Sequence, residues 1–77
     1  MGYRLYFRDG HSEWIDCVTT TPDGGTIFYT SGPRKCRYNG VFEEEKTRVT
    51  WDSNGVPHFE DYWVAMDIVD IRLEDAL

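Results

Sequence analysis

Cysteine is scarce in this chain. Cys17 and Cys36 are the two among 77 residues. That is too few for a disulfide scaffold, and neither lies in a Cys-x-x-Cys pair. No apolar run approaches the ~20 residues a membrane helix needs. Met1-Gly2-Tyr3-Arg4-Leu5-Tyr6 lacks a signal-type apolar stretch, and Tyr6 stands where a myristoylation pattern has Ser or Thr. A cytoplasmic protein with reduced thiols is the expectation. Cations are also few, with eight Lys and Arg against fourteen Asp and Glu, for a net charge of −6. Nucleic-acid affinity comes mainly from Lys and Arg on phosphates, so the balance disfavours that class. No repeat, linker or low-complexity tract divides the chain, and residues 1–77 read as one small domain.

Aromatic residues, in contrast, are abundant: three Trp, five Tyr and four Phe. A domain of this size buries only about 60% of its unfolded surface. Each buried ring removes about 150–250 Å² from water, so aromatics can replace a larger aliphatic core. Charge is uneven along the chain. Residues 1–40 hold five basic and four acidic side chains, and residues 41–77 hold three basic and ten acidic. An acidic half of this kind suits a protein partner with a basic surface, or a solvated rim.

Alternation and turn residues point to strands throughout. Tyr3, Leu5 and Phe7 share one face of a first strand, and Asp9-Gly10 marks a hairpin. Residues 13–20 read as the return strand. Thr21-Pro22-Asp23-Gly24-Gly25 is a turn, because Pro presets the first angle and Gly accepts positive φ. Residues 26–31 form a third strand, and residues 31–40 read as a loop holding the cationic cluster. Val41 to Trp51 is a fourth strand, with Glu43 to Lys46 guarding an edge. Residues 56–64 are extended around Pro57. A short turn near Ala65-Met66-Asp67 precedes a last strand at 68–73. The expected fold is therefore all-β: a small antiparallel barrel or strongly bent sheet of five to six strands, with at most one helical turn. In architecture alone this resembles small barrels of the Sm-like type, and no motif carries binding residues over from them.

Catalytic and metal chemistry find little support. His11, Cys17, Cys36 and His58 contain no pair at zinc-ligand spacing, so neither metal nor cofactor is expected. Cys36 lies between Lys35 and Arg37, which would lower its pKa if their charges converge and make it the more reactive thiol. No base or oxyanion site accompanies it, so no enzyme activity is expected.

The leading expectation is a protein-binding or adaptor module. Strand alternation turns Tyr6 away from Leu5, and Trp14 away from Ile15. Exposed Tyr, Trp and Arg are enriched at interface hot spots. Tyr6, Trp14 and Tyr38, with the acids Glu43, Glu44, Glu45, Glu60 and Asp61, are the candidate binding residues. Trp51 and Trp63 read as core. A second expectation is an acidic inhibitor of the phage or mobile-element kind, whose carboxylates imitate a nucleic acid and block a nucleic-acid-handling complex. A third uses Arg34, Lys35 and Arg37 with Tyr38 to clamp single-stranded nucleic acid. An unpaired edge strand would also allow a homodimer.

Overall fold

The computed structural model describes residues 1–75, apart from the side chain of Cys17. Among the described residues there are seven strands and no helix: β1 (Gly2–Phe7), β2 (Ser12–Thr20), β3 (Thr26–Thr30), β4 (Lys35–Tyr38), β5 (Phe42–Trp51), β6 (Pro57–Ala65) and β7 (Ile68–Glu74). All pairings are antiparallel, in the order β6-β5-β4-β3-β2-β1-β7. The all-β expectation holds, and the strand count of five to six is corrected to seven. The additional strand is β4, inside the stretch 31–40 that reads as a loop. Its Cys36 faces Phe28 and its Tyr38 faces Thr26 across the ladder, so local turn residues lost to cross-strand pairing.

The sheet is open. β6 and β7 form its two edges and share no ladder, so it is not a closed barrel. It is nevertheless strongly bent. Only Met66 and Asp67 separate β6 at one edge from β7 at the other. Three Cα steps span at most about 11 Å. The sheet must therefore curl until its edges nearly meet at that corner. The Met66 N–H donates to the Phe42 carbonyl (2.9 Å), and the Arg8 N–H donates to the Asp67 carbonyl (3.1 Å), closing it.

Alternation sorts the side chains onto two faces. The inner face carries the core of Leu5, Phe7, Phe28 and Cys36, with Ile15, Phe42, Met66 and Ile68 packed against it. A bulge shifts the β2–β3 register between Ile15, opposite Thr30, and Cys17, opposite Tyr29. Gly10 sits at φ 93° in the β1–β2 turn and Gly55 at φ 77° in the β5–β6 turn, conformations that Gly adopts without a Cβ penalty.

β5 is not an edge strand. It pairs with β4 through Phe42, Glu43 and Glu44, and with β6 from Glu43 to Trp51. Beyond Glu44 it pairs with β6 alone. The outer half of this hairpin therefore leaves the sheet as a two-stranded arm, and the molecule measures 52 × 31 × 21 Å.

Candidate functional site

The arm divides cleanly into two faces. Thr47 pairs with Asp61, Val49 with Phe59 and Trp51 with Pro57, which places these six on one face. Lys46 opposite Tyr62, Arg48 opposite Glu60 and Thr50 opposite His58 form the other. The second face is internally satisfied. The Arg48 guanidinium lies 4.6 Å from the centre of the Tyr62 ring and 3.8 Å from the Glu60 carboxylate. The first face is mainly apolar and wet: Trp51 is 68% exposed and Phe59 70%. The core assignment of Trp51 is thus corrected. It lies past the end of the β4 pairing, where no second layer exists to cover it.

The tip of the arm is pinned. The Asp52 carboxylate accepts from the backbone N–H groups of Asn54 (2.8 Å) and Val56 (2.9 Å), and bonds His58 Nε2 at 3.0 Å. These bonds, His58 first, hold its carboxyl below the usual Asp range. The Thr47 hydroxyl donates to Asp61 at the base (2.8 Å). Order is thus supplied by polar contacts, while the aromatics remain uncovered.

The expected binding residues do not converge. Tyr6 and Trp14 lie on the outer face at the far side of the sheet, within a ladder of cations and rings. Arg72 sits 4.6 Å from the Tyr6 ring centre, and Arg4 sits 5.4 Å from both Tyr6 and Trp14. The Tyr6 hydroxyl donates to Glu74. Tyr38 lies on the inner face, tilted against Phe42 at 4.4 Å. Glu60 and Asp61 lie on opposite faces of the arm.

The cationic and acidic candidates instead neutralise one another. Arg34 bonds Glu13 and Glu44, Lys35 meets Glu45 at 3.6 Å, and Arg37 bonds Glu43 at 2.9 Å. Arg37 also stacks on Trp63, at 4.3 Å. A shallow cleft of about 410 Å³ lies beside this pair. Two of its polar side chains are already engaged with each other, since Thr21 donates to Asp23, and Asp23 also accepts from the Gly25 N–H (3.1 Å).

A polar network enters the core at Glu13, which is 5% exposed. Its carboxylate accepts from the Thr30 hydroxyl (2.6 Å) and Arg34 Nε (2.9 Å), and bonds His11 Nε2 (2.7 Å). Burial alone would raise its pKa, but these three bonds outweigh it and hold the carboxyl below the ordinary value. His11 stacks on Phe7 at 4.3 Å and also bonds Asp9. Glu13, then Asp9, pushes the His11 pKa up. A Cβ at Gly32 would meet the Glu13 carboxylate, so this turn accepts only Gly without displacing the network. His11 was weighed from the sequence only as a metal ligand, and Glu13 was not singled out. The available signal was parity, because Glu13 stands two residues before the inward Ile15.

Cys36 is fully buried, with Lys35 and Arg37 on the opposite face. Burial, with Glu44 and Glu13 nearby, pushes its pKa up to about 12. The expected activation is reversed. Adjacent strand residues point to opposite faces, so cations next to Cys36 in sequence are not next to its thiol.

Among the described residues, no group of three His, Cys, Asp or Glu is placed to hold a metal ion, and no helix is long and apolar enough to cross a membrane. No family model matches the chain, and neither a curated protein nor a solved structure gives a significant match.

Proposed function

We propose that this protein is a non-catalytic protein-binding module whose contact surface is the apolar face of the β5–β6 arm. One observation carries the reading: Trp51 and Phe59 stand exposed together on a two-stranded arm whose other face is polar and satisfied. A free two-stranded hairpin is marginal in water. Large aromatics held rigidly at such a place supply contact area at low entropic cost. The other readings have less behind them. Arg34, Lys35 and Arg37 are spent on carboxylates, and Glu43, Glu44 and Glu45 on those same cations, which leaves weak charge for either a phosphate strand or a basic groove. The Thr30 hydroxyl beside the Glu13–His11 pair is itself buried and donates to Glu13, so it is no free nucleophile.

The test is affinity capture from a lysate with and without nuclease, using wild type and a Trp51→Ser/Phe59→Ser variant. A protein retained by wild type and lost from the folded variant supports the reading. Retention by both, or partners that vanish with nuclease, contradicts it.

A further inference from the structure

The chain is less compact than its size requires. A folded monomer of 9.0 kDa exposes about 4,850 Å² by the usual scaling. This one exposes 5586 Å². Its radius of gyration is 15.2 Å, against about 11.5 Å for a compact chain of this length. The excess of about 700 Å² is close to the ~800 Å² each partner contributes to a standard interface.

A second uncovered apolar surface lies on the body of the chain. Past the closed corner the inner face opens into a groove of about 570 Å³, lined by Tyr3, Val18, Phe28, Tyr38, Phe42 and Ile71. Val18 at its mouth is 61% exposed. The groove is lined mainly by apolar side chains, and the exposed face of the arm is mainly apolar. Trp51 and Phe59 together would remove about 300–500 Å² from water. Net charge opposes the match only slightly. Residues 46–61 hold two basic and three acidic side chains, so the arm carries −1 of the chain's −6 and meets the acidic body with little repulsion.

Resting on the protein-binding reading, we infer that the arm's partner is a second copy of this chain: each arm lies in the inner groove of the other copy. The exchange is reciprocal, as a two-fold interface requires.

Light scattering and sedimentation on the full chain test this, with circular dichroism to confirm folding. Wild type should have twice the 9.0 kDa chain mass. Trp51→Ser/Phe59→Ser spoils the arm and Val18→Glu spoils the groove. Each variant alone should run as a folded monomer. An equimolar mixture should regain the doubled mass, because one intact arm then meets one intact groove. A monomeric wild type overturns the inference, as does a mixture that stays monomeric (arm packs on arm), or variants that both stay dimeric (edge strands pair). A monomeric wild type that still captures a protein through Trp51 and Phe59 overturns the second-copy inference alone. Without that capture the protein-binding reading fails as well.

Discussion

Ala65 ends the strand at one edge of the sheet, and Ile68 begins the strand at the opposite edge. Two residues thus hold together the margins of a seven-stranded sheet. Met66 contributes a side chain packed on the core, while Asp67 pairs in solvent with Arg8 at 2.9 Å. Met66→Ala should cost about 2 kcal/mol, or roughly 10 °C of melting temperature. Arg8→Ala breaks an exposed pair and should cost under about 1 kcal/mol. Equal losses in thermal melts would contradict the closed corner.

Arg34 lies across two carboxylates, and Glu13 is nearly buried. Arg34→Met would strip the principal cation from a buried carboxylate, with an expected loss of about 3 kcal/mol in chemical denaturation. Lys35→Met, at an exposed site, should change stability by less than about 0.5 kcal/mol. A comparable small effect for both would mean that Arg34 is a surface cation free for other work.

Stability should have two pH limits. His11 is raised above its ordinary 6.5, so its contribution is complete below that value and disappears as pH rises through the folded value. Glu13 is lowered from 4.5, so its contribution is complete above that value and disappears as pH falls through the folded one. Melting temperature should therefore be highest between about pH 4.5 and 6.5. His11→Gln should flatten the alkaline decline specifically. An unchanged alkaline limb in that variant would remove His11 from the explanation.

Cys36 should resist alkylation in the native protein at neutral pH, since its thiol is buried and its pKa lies near 12. Peptide mapping after iodoacetamide treatment, with and without denaturant, reads this directly. Rapid native modification of Cys36 would mean that the core opens there.

Most of the fold was legible in local signals. Alternation at Tyr3, Leu5 and Phe7 and the turn glycines Gly10 and Gly55 place strands correctly, and the break at Ala65-Met66-Asp67 separates β6 from β7. What local signals could not carry was pairing. β4 is four residues long and rich in charge, and it is a strand because Phe28 and Glu44 flank Cys36 on both sides. The candidate site was legible only in its ingredients. Aromatic excess was evident, but whether Trp14 or Trp51 stands free depends on where β5 outruns β4. The charge clusters misled for a similar reason: runs 34–37 and 43–45 face each other across one ladder and cancel.

The central claim concerns one face of one arm, and adjacent residues of β6 separate its two faces. A photo-reactive phenylalanine analogue placed at position 59 reports from the apolar face, and the same analogue at position 58 reports from the polar one. Irradiation of cells producing each protein should yield a strong covalent protein adduct from position 59 and little from position 58. No adduct from either position, or equal adducts from both, would contradict the assignment of this arm as the binding surface.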